Sequence, residues 1–357
     1  MRVARACEPA PDRAHWRAVK LLILGGTSFV GRHLVEAALA RGHDVSLFNR
    51  GREAPTLFPE VERLAGDRRG DLAALRGRRW DAVIDTAAYV PSIVEQAASL
   101  LAPSVEHYTF ISTRSVYADH GDSAEGGLVA TLTDDELRHA EAIRPEGRSH
   151  AMLYGARYGA LKARCERAAE EAMPGRVLVL RPGLIVGPYD PTDRFTYWVR
   201  RVARGGDVLA PGRPDRTVRA LDARDLAAWC LQRIEARTAG VFNAAGADGV
   251  TMQGMLDACA RATGSDARLI WASEAFLVAR GVVPWSELPL WVLEEDSAFL
   301  ETGNARAVAA GLTFRSLDET AADTRAWDRL RGDAPLRAGL EAAREAELLA
   351  AWRASPH

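Results

Sequence analysis

Tyr158 and Lys162 stand four positions apart in the segment Tyr154-Gly-Ala-Arg-Tyr158-Gly-Ala-Leu-Lys162. In a helix that spacing puts a phenol and an ammonium on one face. The lysine is conspicuous: of 46 basic residues in the 357-residue chain, all but Lys20 and Lys162 are arginine. A compact ammonium with three rotatable donors can hold sugar hydroxyls and depress a neighbouring phenol, tasks that a bulkier planar guanidinium serves less well. A phenol with a reference pKa near ~10 needs such help to act as a base at neutral pH. The pair therefore suits proton transfer at a hydroxyl or a ketone. On these residues alone, a solvated lysine on an ordinary amphipathic helix stays open as the bland alternative. Tyr117 and Tyr154 have no lysine four positions on and read as packing or substrate-side residues.

The elements around the pair say what it would work with. Residues 154–173 are rich in helix formers and stop at Pro174-Gly175. Near the N-terminus, Lys20-Leu-Leu-Ile-Leu leads through Gly25-Gly-Thr27-Ser28-Phe29-Val30-Gly31 into a periodic stretch ending at Gly42, which reads as strand, tight turn and helix. Such a turn carries backbone N–H groups and a helix dipole to a pyrophosphate, so Gly25, Thr27, Ser28, Phe29, Val30 and Gly31 are candidate dinucleotide contacts. Ser28 occupies the middle place where glycine is usual, and its Cβ and hydroxyl must fit beside the phosphates. The second strand, Asp44–Phe48, ends in Asn49-Arg50, without the acidic residue that an NAD-specific site places there, so NADP is expected in preference to NAD. Arg50 and Arg52 as solvated loop charges are the alternative. Asp67, ending a third strand at 61–67, is placed to meet the adenine, and the small residues Ala87 and Ala88 of a fourth strand at 81–88 leave room for the cofactor. A fifth strand runs into Ser112 and Thr113, whose hydroxyls fall at the carboxyl end, where open α/β sheets hold ligands.

Taken together, Gly25-Gly-Thr-Ser-Phe-Val-Gly31, Gly66-Asp67, Phe110-Ile-Ser-Thr-Arg-Ser-Val-Tyr117, Tyr158-Gly-Ala-Leu-Lys162 and Arg181-Pro182-Gly-Leu-Ile-Val-Gly-Pro188 resemble the extended short-chain dehydrogenase/reductases of the NAD-dependent epimerase/dehydratase group. The resemblance spans positions 20 to about 190. It implies that Tyr158 is the general acid or base, Lys162 its partner and ribose ligand, Thr113 the hydroxyl that polarises the substrate, and Pro182 a cofactor contact, with Ser112 the weaker candidate for the polarising role. It also implies a sugar-nucleotide or natural-product substrate, an arginine near Arg216 and Arg219 toward a diphosphate, and a homodimer through the Tyr158 helix. The spacing to Asp225 departs by one from the family pattern. Dehydratases of the group carry acidic residues directly after the threonine; here stand Arg114 and Ser115, so oxidoreduction or epimerisation is expected rather than dehydration. Arg114, Arg219 and Trp291 are candidate substrate contacts, Trp285 and Trp291 also reading as domain core.

The expected fold is α/β, a Rossmann-type doubly wound parallel sheet over 20–186 and 216–247, with a smaller discontinuous substrate domain from 187–215 and 248–357 and an N-terminal tail over 1–19. The long connection 119–148 is expected to cover the substrate, with a capped helical turn at Thr133–Arg138. Hydrophobic residues make up 48% of the chain and its net charge is −2, which fits a globular cytoplasmic enzyme with a small-molecule substrate and neither membrane nor nucleic-acid partner. Cys7, Cys165, Cys230 and Cys259 have no metal or redox spacing, and no metal is expected. The rival expectation is an inactive RNA-binding or regulatory protein on the same fold.

Overall fold

The computed structural model describes residues 18–86, 88–121, 123–145 and 151–355. Nearly all of the expected tail, and Ala87 among the expected cofactor contacts, lie outside them.

A seven-stranded sheet forms the centre, built from β1 (Lys20–Leu24), β2 (Asp44–Asn49), β3 (Glu62–Ala65), β4 (Trp80–Asp85), β5 (Val105–Ile111), β6 (Val177–Pro182) and, after three short strands introduced below, β10 (Gly240–Ala244). Its order is β10-β6-β5-β4-β1-β2-β3, and every pairing is parallel. Leu21 through Leu24 are all fully buried, as a strand covered on both faces requires. Successive side chains alternate: Leu22 and Leu24 join a core with helices α2 (Pro91–Leu101) and α4 (Tyr158–Ala172). Leu21 and Ile23 join the other core, with α1 (Phe29–Ala40) and α6 (Ala223–Glu235). The strand order reverses at β1, between β2 and β4, and ligands of doubly wound sheets bind beyond the carboxyl ends of the strands at such a switch.

The connection after β5 holds α3 (Asp134–Ala142), capped as expected: the Thr133 side chain accepts from the Glu136 backbone while Glu136 reaches back to Thr133. Glu141 accepts from the Ser92 amide and hydroxyl, tying α3 to the start of α2.

A second core gathers α5 (Arg194–Ala203), α7 (Met252–Thr263), α8 (Glu274–Ala279), α10 (Leu317–Leu330) and α11 (Ala342–Ala354) around two small sheets. In these β7 (Leu184–Val186) pairs with β9 (Ala220–Asp222), and β8 (Asp207–Pro211) with β11 (Arg268–Ala272). The expected boundaries shift in two places. Val218 and Ala220, expected in the first core, pack in the second. Residues beyond 300 return to the first: Ala307 of α9 (Ala305–Ala309) and Leu312 join it, and Trp229 donates to the Ala310 carbonyl at 3.1 Å.

Candidate active site

At the carboxyl edge of the sheet lies a cleft of about 950 Å³. One end is the turn between β1 and α1. Gly26 has φ +90°, and a Cβ on Gly31 would stand 2.9 Å from the Gly26 nitrogen, so a glycine lets the helix close against the turn. Gly25, Thr27, Ser28, Phe29, Val30 and Gly31 all line this end. Phe29 takes a left-handed φ of 37°, as do Trp285 (68°) and Leu290 (64°) farther along the wall; strained residues of this kind collect where a site is held in a set shape.

The Asn49 amide braces the turn: its Nδ2 donates to the Gly25 carbonyl at 3.0 Å and its Oδ1 accepts from the Gly51 amide at 2.9 Å. Arg50 is exposed and lines the cleft beside it, as do Asp67 and Pro182. Ala88 is fully buried behind the wall and meets the site through its carbonyl, while Thr86 and Tyr89 form the lining at that point.

Tyr158 is the first residue of α4, and its phenol lies close enough to the Thr113 side chain to be influenced by it, while the Thr113 hydroxyl donates to Ser115 Oγ at 3.2 Å. Two features enforce this closeness. A Cβ on Gly159 would overlap the Ser115 carbonyl oxygen, so only glycine lets α4 lie against the Thr113–Val116 turn. The Tyr158 ring leans on Tyr89 at 6.1 Å, and Tyr89 stacks in turn on buried Tyr154 at 5.8 Å. Burial pushes the Tyr158 phenol well above its ordinary value and Tyr89 adds to that, while the Thr113 side chain pulls the other way. By the sequence expectation, Lys162 and a nicotinamide cation together favour the phenolate; in the protein alone burial raises the phenol.

Lys162 is only 3% exposed, which removes the solvated-surface alternative. Its Nζ donates to the carbonyls of Ile111 at 2.7 Å and Ala88 at 3.0 Å and lies 4.0 Å from the Phe110 ring centroid. Burial pushes the ammonium down to about 8, opposed by Cys165 and the carboxylates of Asp85 and Glu166. Among the described residues two of its three donors are used, and Lys162 lines the cleft.

Three expected contacts are corrected. The Ser112 hydroxyl donates to Glu166 at 2.5 Å, and Glu166 is clamped by Arg181 at 3.0 and 2.6 Å, so the Ser112 hydroxyl is committed to a buried network. Arg219 is spent on the Thr302 carbonyl, at 2.8 Å, and on Asp248, away from the cleft wall. Trp291 is fully buried in the second core, and Trp285 stands in the wall instead. A further group escaped the sequence reading: Asp85, fully buried, takes the Arg68 guanidinium and the Tyr108 hydroxyl (2.7 Å). Burial would raise this carboxyl, but Arg68 holds it below its ordinary value. The visible signal was an aspartate closing an apolar strand. Among the described residues no three His, Cys, Asp or Glu side chains gather as a metal site, and no helix is long and apolar enough to cross a membrane.

Residues 21–245 match the sequence model of the NAD dependent epimerase/dehydratase family. The chain belongs to that family. It is 27% identical over 270 residues to the chloroplast stem-loop binding protein of 41 kDa b of Arabidopsis thaliana, covering 69% of this chain and 63% of the relative. It is 32% identical over 184 residues to the 2-alkyl-3-oxoalkanoate reductase of Stenotrophomonas maltophilia, covering 48% of this chain and 52% of the relative. The chain thus spans little more than half the length of either. Among solved structures, the UDP-glucuronic acid 4-epimerase from Bacillus cereus in complex with NAD superposes with a TM-score of 0.60 at 16% identity, covering 88% of this chain and 99% of that one, a likeness of fold.

Proposed function

We propose that the protein is an NAD(P)-dependent oxidoreductase or epimerase that acts on a hydroxyl or ketone carbon of a small polar molecule. The carrying observation is that Thr113, Tyr158 and Lys162 line one cleft continuous with the glycine turn. The turn and the cleft fit a dinucleotide: Gly26 and Gly31 leave the backbone bare where a pyrophosphate would approach, and the start of α1 offers its N–H groups and dipole. Asn49 holds the turn, Asp67 stands at the adenine end, and Arg50 supplies the cation for a 2′-phosphate, so NADP is the preferred form. When bound, the cofactor supplies or accepts the hydride.

The chain's own residues manage the proton and the orientation. Thr113 and Tyr158 converge on the substrate oxygen, and Tyr158, protonated in the protein alone, donates in the reducing direction and accepts in the oxidising one. Lys162 places its remaining donor toward a sugar hydroxyl and, as a cation, favours the phenolate once the proton has left. Tyr89 and Tyr154 hold the ring, and Glu166 and Arg181 hold the end of β5.

The name of the S. maltophilia relative favours reduction of an oxo group. The name of the A. thaliana relative favours a second reading, stem-loop RNA binding. The Thr113, Tyr158 and Lys162 arrangement and the net charge of −2 weigh for chemistry. The test is NADPH oxidation followed at 340 nm against a panel of ketones and nucleotide sugars, with product analysis for epimers. Turnover of at least one ketone or sugar supports the proposal; cofactor binding with none, beside tight RNA binding, overturns it.

A further inference from the structure

Arg114 is a buried cation, 3% exposed, and among the described residues none of its three guanidinium nitrogens has a hydrogen-bond partner. Among the described residues no carboxylate pairs with it; its one close neighbour of note is the Phe299 ring, whose centroid lies 4.3 Å from the guanidinium carbon. A buried guanidinium left in this state is costly, and buried charges in folded proteins are nearly always paired. Arg114 directly follows Thr113, and Arg114, Phe299 and Tyr158 all line the cleft. The edge of His120, whose Nδ1 is likewise buried without a partner, meets the same Phe299 ring at 5.2 Å.

We infer that Arg114 is a specificity-determining residue that binds a carboxylate of the substrate beside the Thr113–Tyr158 pair, which makes the substrate a small hydroxy or oxo acid. This rests on the proposed function and narrows its substrate. Two observations favour a carboxylate over a sugar-nucleotide diphosphate. The planar fork of a guanidinium matches a carboxylate in two parallel hydrogen bonds. Arg216, the buried arginine from the segment where a sugar nucleotide's diphosphate would be met, is taken by Glu274 and Glu294, and Arg219 by Asp248. Beside Arg114 the wall is aromatic: Phe299 packs on the guanidinium and meets the Trp285 ring at 5.7 Å. The guanidinium is held down to about 10 by burial, as suits a site that waits for its counter-charge.

The test is calorimetric titration of the NADP⁺-saturated protein with benzoate, benzamide and phenyl phosphate, which share a ring and differ in charge. Benzoate is expected to bind at least tenfold more tightly than either of the others. Arg114→Met should lose that tenfold preference and Arg114→Lys should keep part of it. Without ligand, the melting temperature of Arg114→Met should equal or exceed that of the unmodified protein, because a buried unpaired charge is replaced by an apolar chain of similar length; a merely structural arginine would lower it. Equal binding of benzoate and benzamide, a preference that survives Arg114→Met, or tighter phenyl phosphate binding overturns the inference. The titration is repeated on Tyr158→Phe, where the preference for benzoate should persist. A loss of hydride transfer activity throughout thus counts against the proposed function and leaves the Arg114 site standing, whereas active enzyme indifferent to Arg114 does the reverse.

Discussion

Raising the pH should discharge Lys162 long before any ordinary lysine, and the site should report it. Burial holds its ammonium at about 8 instead of 10.5. At pH 9 a group of pKa 8 is about one-eleventh charged, whereas one of pKa 10.5 is almost fully charged. If the charge is needed to bind cofactor, kcat/KM for NADPH, which reports the free enzyme, should be level to pH 7.5 and fall about tenfold per pH unit above 8. Lys162→Arg, with a guanidinium that does not deprotonate in this range, should be slower overall but lose the falling limb. Stability carries the same signature with opposite sign. Because the folded pKa is depressed, the folded state binds fewer protons than the unfolded one between 8 and 10.5, so stability rises with pH across that window. Keeping the ammonium buried costs about 3 kcal/mol below pH 8, and about 2 kcal/mol of it should be relieved by pH 9.5. Urea denaturation at pH 7.5 and 9.5, for the unmodified protein less Lys162→Arg, isolates this from other titrations. Identical pH profiles for the two proteins, in rate and in stability, would refute the account of Lys162.

Gly159→Ala would drive a Cβ into the Ser115 carbonyl; overpacking of this kind costs about 1–3 kcal/mol, and the forced separation of Thr113 from Tyr158 should cut turnover more than cofactor affinity, with a neutral effect on both denaturation and rate counting against the packing argument. NADPH should bind more tightly than NADH, and Arg50→Ala should narrow the gap by about 1–3 kcal/mol through lost phosphate contacts; equal affinities in the unmodified protein, read by cofactor fluorescence, sink the NADP preference. With a net charge of −2, mixed stem-loop RNA should shift only weakly in gels, and that shift should vanish as salt rises; tight association at 200 mM salt would favour the RNA-binding reading.

The strands of the nucleotide-binding half were legible because each is a short apolar run bounded by glycine or a charge, and strands covered on both faces need no alternation. The glycine turn, the fifth strand's hydroxyls and the Tyr158 helix all stand within a residue or a few of where the sequence put them. The second core was less legible. Leu184–Val186, Asp207–Pro211 and Arg268–Ala272 are strands of three to five residues that exist only because a distant partner pairs with them. Side-chain partners were the least legible part. Ser112 and Thr113 both offer a hydroxyl at the strand end, and the buried Glu166 that takes the Ser112 hydroxyl lies 54 residues away in sequence. Arg219 and Trp291 carry the right chemistry for a substrate wall, but Asp248 and the second core claim them. For Arg114 the residue type was visible, while its isolation could be seen only once its neighbours were in place.

The most direct measurement of the central claim is hydride transfer by Tyr158→Phe on a ketone that the unmodified protein reduces. The substitution keeps the ring against Tyr89 and removes the hydroxyl that meets Thr113. NADPH should bind as before while turnover falls by roughly 10²–10⁴-fold, the usual worth of a positioned acid–base group. Turnover at the unmodified rate would contradict the assignment of Tyr158 as the proton-transfer residue, and with it the proposed chemistry of the cleft.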